Sequence, residues 1–278
     1  MKNILKIMLM MITIYTITGS AVYAAEIPVS DQDQLITSRD WTEISNLQDE
    51  MKKEEPDATI DYDKALKVYV DCNLIKLQTA DTKKLTSALE SANYVWVIPF
   101  KMEKTYGMFT VAKGLPLSEE AKSVLTKAEQ EEVKNHAGKW MITETAEHTV
   151  EPYYDILLEK REALSDCTRV VLVGSQPGMR QPVALGMDEE TARIWISLGY
   201  QYPVMEKIPE TQNVESGVYS FDSVAEISDT YIEDSEVSTG AGVQSRSSMK
   251  YVAGIGIIVI GSILILSVLK KKKLEDYE

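Results

Sequence analysis

The runs 94-YVWVIPFK-101 and 106-YGMFTVAK-113 decide the fold. Both are rich in aromatic and β-branched residues, and Gly107 lies beside the short connection between them. Such a pair reads as a β-hairpin. Pro99 lacks a backbone N–H, so inside the first run it points to an edge or a bulge. A hairpin here makes the surrounding chain an antiparallel or mixed sheet, and the segments on either side must supply its other strands and its cover.

Upstream, Ala65 to Leu77 reads as a strand in which Leu66, Val68 and Val70 alternate with Lys67, Tyr69 and Asp71. Asp81 to Glu90 reads as a helix, capped by Asp81, with Leu85, Ala88 and Leu89 turned inward. Arg39 to Lys53 places Trp41, Ile44, Leu47 and Met51 on one helical face, which is expected to pack on the domain. Ser38 or Asp40 can cap this helix, Glu43 stands at capping-box spacing from Asp40, and Pro56 ends it. The polar stretch from Ala25 to Asp40 reads as loose.

Downstream, Ser118 to Asn135 has the strongest helical pattern of the chain, with Ser118 as cap and Ala121, Val124, Leu125 and Ala128 as a stripe. The run His136-Ala137-Gly138 stops it. Lys139 to Glu147 follows as a strand, and Val150 to Leu164 as a helix with Thr149 as cap and Pro152 in its first turn. Arg169 to Gly174 and Pro182 to Met187 form a second hairpin around Pro177-Gly178, and Thr191 to Leu198 reads as a last strand, with helix as the alternative. The expected class is α+β: one exported domain over residues 60–203, an antiparallel or mixed sheet covered on one face by helices, preceded by a polar segment and helix over 25–59. From 204 to 250 Gly, Ser, Thr and acidic residues dominate, and the reading is an acidic disordered stalk.

Both ends of the chain read as membrane-directed. Lys2 and Lys6 precede an apolar run from Ile7 to Ile17, and Val22 and Ala24 suit a signal peptidase, so residues 1–24 read as a signal peptide cut after Ala24. Val252 to Leu269 carries no charge and, at ~1.5 Å per residue, just covers a hydrocarbon core of ~30 Å. Tyr251 marks its outer edge, and Lys270, Lys271, Lys272 and Lys273 mark the cytoplasmic side, so 251–269 reads as a transmembrane helix and 270–278 as a short cytoplasmic tail. The expected placement is therefore the plasma membrane of a bacterium, single-pass, with the N-terminal domain extracellular. Sortase anchoring is a poor fit, since Glu236-Val237-Ser238-Thr239-Gly240 lacks the Leu and Pro of that signal.

The formal net charge is -14, and the termini are its basic parts: Lys2 and Lys6 give +2, the tail +1, which leaves -17 between them. So acidic a surface repels phosphate backbones, and nucleic acid is excluded as a partner. Cys72 and Cys167 are the two cysteines, and an exported compartment allows them one disulfide closing a loop of about 95 residues. Their alternative is two buried free thiols. His136 and His148 lack metal-ligand spacing, Asp57, Asp61 and Asp63 lack the Gly and Glu of a calcium loop, and Gly174-Ser175-Gln176-Pro177-Gly178 is a turn rather than a nucleophile elbow. No catalytic residue, metal site or cofactor site is legible. The function expected on this basis is a non-enzymatic binding or assembly module with a protein or cell-wall partner; aromatics such as Trp96, Tyr106, Trp195 and Tyr200 are its candidate contacts, with a place in the core as the equal alternative. A surface hydrolase with carboxylates that meet only in the fold, and a ligand sensor acting through a separate membrane protein, are the alternatives.

Overall fold

The computed structural model describes residues 27–148, 151–174, 176, 179, 181–200, 202, 204–210 and 213–228. The expected signal peptide, transmembrane helix and cytoplasmic tail, with Tyr251 and Lys270 to Lys273, lie outside these residues. Ten strands form one sheet: β1 Thr59–Ile60, β2 Leu66–Tyr69, β3 Tyr94–Lys101, β4 Tyr106–Lys113, β5 Trp140–His148, β6 Arg169–Val173, β7 Val183–Met187, β8 Ala192–Ser197, β9 Asn213–Glu215 and β10 Val218–Ser220. Their order is β5-β4-β3-β2-β6-β7-β8-β10-β9, with β1 also on β3. Two antiparallel meanders thus grow outward from a central pair, β2 and β6, which is the one parallel pairing among the described strands.

The expected hairpin is β3 and β4, in register from Val95↔Ala112 to Lys101↔Tyr106. Pro99 sits in the sheet interior rather than at an edge. Its carbonyl accepts from the Asp61 N–H, and its missing N–H faces the same side. There the neighbouring strand is interrupted: β1 pairs with Lys101 and Phe100, β2 with Val97 to Tyr94, and a 3-10 turn at Tyr62–Lys64 fills the gap. The ladder therefore loses nothing at the proline.

Among the described residues seven helical segments accompany the sheet: α1 Trp41–Ile44, α2 Gln48–Glu54, α3 Thr82–Ser91, α4 Glu119–Val124, α5 Lys127–His136, α6 Tyr153–Glu159 and α7 over 221–228. The sheet is covered on both faces, not on one. On the first face α1 and α2 place Ile44 and Met51 against Trp96, Ile98, Phe100 and Phe109. Beside them α3 and α7 place Leu85, Leu89, Phe221 and Val224 against Val171, Leu185 and Trp195. Each of these fully buried side chains stabilises the fold by roughly 1.5–3 kcal/mol. On the second face Tyr153 and Leu157 of α6, with Ile27 and Val29, cover Val68, Val97, Leu172, Ile194 and Ile196.

The domain also outruns its expected limits. Val204, Met205, Ile208, Val218, Phe221 and Val224 are buried, and β9, β10 and α7 complete the sheet and its cover, so folded structure reaches residue 228 rather than stopping at 203. The acidic residues hid this because they occupy the exposed positions between apolar anchors. Likewise the stretch before Asp40 is not loose, since Ile27, Val29 and Leu35 are core residues. The expected helix from Ser118 is two helices. Ser118 caps α4, and Thr126 starts α5 with a capping box, accepting from the Glu129 N–H while the Glu129 side chain accepts from Thr126 N–H.

Candidate functional site

The central parallel pair is short. β2 and β6 meet only at Val68↔Leu172 and Tyr69↔Val173, and their N-terminal ends splay apart. The N-terminal segment fills that opening. Val29 bridges in parallel to Val170, the chain turns through a 3-10 helix at Asp31–Asp33, and Gln34 bridges antiparallel to Leu66. Two backbone bonds hold it to the strands: Val170 N–H donates to Pro28 (2.7 Å) and Leu35 N–H to Ala65 (3.2 Å). Ile27 and Val29 lie in the second-face core and Leu35 in the first-face core, so the segment passes through the seam from one side of the sheet to the other.

At its turn Asp33 is 2 % exposed, yet charged groups surround it. Its carboxylate accepts from Ser30 Oγ (2.6 Å), Tyr69 Oη (2.8 Å) and Arg169 Nη2 (3.0 Å), and Lys67 Nζ stands 3.4 Å away. Burial works against the charge, but the Ser30, Arg169 and Tyr69 donors outweigh it and hold the Asp33 carboxyl below its ordinary range. Lys67 moves down as well, because burial weakens its ammonium more than Asp33 and Asp40 strengthen it. The two shifts agree with the geometry: Asp33 is satisfied chiefly by its three shorter contacts, and Lys67 by its surroundings. Those surroundings are aromatic. Lys67 Nζ lies 4.7 Å from the Tyr94 ring centre, 5.3 Å from Trp96 and 5.7 Å from Tyr69, inside cation–π range.

Asp40, 6 % exposed, closes the cluster. It does not cap α1 with its side chain. It accepts from Tyr94 Oη (2.9 Å) and Trp96 Nε1 (3.1 Å) instead. The cluster thus holds two acids and two bases between the two apolar cores of the first face. Chemically it can hold a carboxylate presented by a tight turn of backbone, which is what it does with Asp33 at the end of the 3-10 helix.

The residues singled out in the sequence fall elsewhere. Trp96 and Trp195 are fully buried core side chains, not contacts, while Tyr106 and Tyr200 are half-buried. Cys72 and Cys167 are free thiols packed against the cores of opposite faces, and burial pushes them up to about 12 and about 11. Ser175, Pro177 and Gly178 lie outside the described residues. Gln176 is buried and ties its loop down by donating to Cys72 and Gly174 carbonyls and accepting from Leu74 N–H. No group of three His, Cys, Asp or Glu among the described residues could hold a metal ion. A cleft of about 440 Å³ opens beside β8, lined by Cys167, Thr191, Arg193, Ser220 and Asp222 among others. Of the described residues, no helix is long and apolar enough to cross a membrane.

An exposed excursion runs between β4 and β5. A bridge from Gly114 to Ala137 closes its base, and Gly138 turns the chain there with φ +76°. None of the ten residues of α5 is buried, and Val124 and Leu115 are 70 % and 43 % exposed. The stripe of Ala121, Val124, Leu125 and Ala128 is exposed or half-buried and adds nothing to the core. No protein-family model, no curated protein and no solved structure matches this chain.

Proposed function

We propose that this chain is a single-pass membrane-anchored cell-surface protein whose extracellular domain is a non-enzymatic binding or assembly module. The observation that supports it is the excursion from Leu115 to Lys139. Helices of six and ten residues are marginal without packing. These two are held by their own caps and a closed base, and they leave Leu115 and Val124 in water. A partner protein that covers them supplies the missing packing. The excursion carries both signs of charge, including Lys122, Lys127, Glu131, Glu132 and Lys134, which suits a protein surface better than a polyanion.

The test is a photo-crosslinking residue at Val124 in the full chain, expressed in its own cells, with the same residue at exposed Glu103 as reference. One dominant protein adduct at 124, absent at 103 and abolished by Leu115→Glu without a fall in Tm, supports the reading. The same adducts at both positions, or adducts indifferent to Leu115→Glu, refute it.

A further inference from the structure

We propose that the splayed seam between β2 and β6 is a binding groove for an acidic peptide that enters it as a tight turn, held closed in this structure by the chain's own residues 27–35. The proposal is independent of the helical excursion. The occupant itself shows what the groove recognises: an apolar pair on one face, Ile27 and Val29, a buried carboxylate at Asp33, and an apolar residue on the other face, Leu35. The groove supplies the matching parts. Arg169 and Tyr69 donate to the carboxylate, Lys67 sits beside it in its aromatic cage, and Val170 N–H and the Ala65 carbonyl pair with the peptide backbone.

Three features make the segment releasable. Its pairing to the strands is two isolated bridges, not a ladder. The sheet stays continuous without it, because β2 and β6 pair directly above it at Val68↔Leu172 and Tyr69↔Val173. The linker that follows is exposed, with Ile36 at 38 % and the Arg39 side chain at 87 %, so the cost of release falls on the buried side chains of Ile27, Val29, Asp33 and Leu35 and not on the linker. Ionic grip adds selectivity more than strength: a buried cluster holds a matched partner but discriminates sharply against one that leaves its cations unpaired.

The experiment uses the full chain in detergent micelles. In native-state hydrogen exchange, the Val170 and Leu35 amides are expected to exchange faster than those of β3 and β4, through a local opening. Asp33→Asn raises their rates by roughly a hundred- to a few thousandfold, the factor expected when one partner of a buried ion cluster is lost. A labelled synthetic peptide of residues 27–36 then binds the Asp33→Asn chain saturably. Binding is lost when the peptide carries Asn at the Asp33 position, and lost again in the Asp33→Asn, Arg169→Gln chain. Exchange of Val170 and Leu35 only at the rate of β3 and β4 overturns the proposal, and needs no variant that must fold. A folded Asp33→Asn chain that ignores the peptide overturns it too, as does one that pairs with a second copy by swapping segments in place of binding the peptide.

Discussion

Gly107 stands opposite Phe100 in the central hairpin, and a methyl group added there tests how that hairpin is packed. A Cβ at position 107 comes within 2.1, 2.4 and 2.7 Å of three Phe100 ring carbons, so the ring must retreat by about 1 Å or more to reach ordinary contact. A free side chain makes such a move at little cost. Phe100 is not free: it is 1 % exposed, it pairs with Phe109 at 4.6 Å between centroids, and it belongs to the core under α1 and α2. Overpacking of that kind costs about 1–3 kcal/mol, or a fall in Tm of roughly 2–12 °C for a domain of this size. Phe100→Leu alone leaves a cavity and also destabilises. Together the two changes relieve each other, because the smaller side chain makes room for the methyl. The assay is denaturant unfolding of the full chain and the three variants, followed by tryptophan fluorescence, as a double-mutant cycle. A double variant less destabilised than the sum of the singles, by about 1 kcal/mol or more, is the expected result. Strict additivity, or a Gly107→Ala variant as stable as the parent, refutes the claim that the ring lies locked over the glycine.

Asp33→Ala strips the seam of its carboxylate and leaves Lys67 and Arg169 facing each other, which costs about 3–5 kcal/mol in the same unfolding assay. Because the folded-state pKa of Asp33 lies below its ordinary value, the contribution is complete above the unfolded pKa and disappears as pH falls through the folded one. The gap between the parent and Asp33→Asn should therefore be constant near neutrality and close only in strong acid; a gap that closes near pH 6 refutes the assignment. Thr126→Ala removes the capping box of α5 at about 1 kcal/mol, read as roughly fivefold faster exchange of the Glu129 amide, with little change in global Tm because the excursion carries no core. Denaturing the chain without reductant should expose two thiols to a chromogenic reagent, while the folded chain reacts slowly at pH 8, since burial leaves little thiolate on Cys72 or Cys167; no free thiol after denaturation means that the two are bonded.

Local patterns made the sheet legible wherever they extended over several residues. The β3–β4 hairpin, the β6–β7 hairpin and the Asp81 cap of α3, which accepts from the Lys83 and Lys84 N–H groups, all follow from propensity and spacing. The seam was not legible, because its parts are far apart: Asp33 meets Lys67 34 residues on and Arg169 136 residues on. In isolation the alternation of β2 sends Lys67 to solvent, yet all four β2 residues are buried, since helices cover both faces. One signal pointed the other way. Lys67 and Tyr69 share a face of β2 and lie opposite Trp96 and Tyr94 on β3, and aromatic residues beside a lysine on a central hairpin mark a caged cation rather than a wetted one. The α4–α5 break was also written in the chain, as Thr126 and Glu129 at capping-box spacing, but the apolar stripe running across it concealed the break.

The strand order has a mechanical consequence. Residue 228, the last of the described residues, lies on α7 over the half of the sheet that holds β8 and β10, while the β4–β5 excursion springs from the opposite end. Eight inter-strand steps of ~4.8 Å separate β9 from β5, on the order of 40 Å along the sheet. On the proposed anchoring, a tether leaving beyond 228 holds the domain by one end, as a flag is held by its pole. Leu115 and Val124 then ride on the free end, so small swings of the tether sweep them through a wide arc. Load applied there reaches the anchor across the whole width of the sheet, through the short central pairing of β2 and β6.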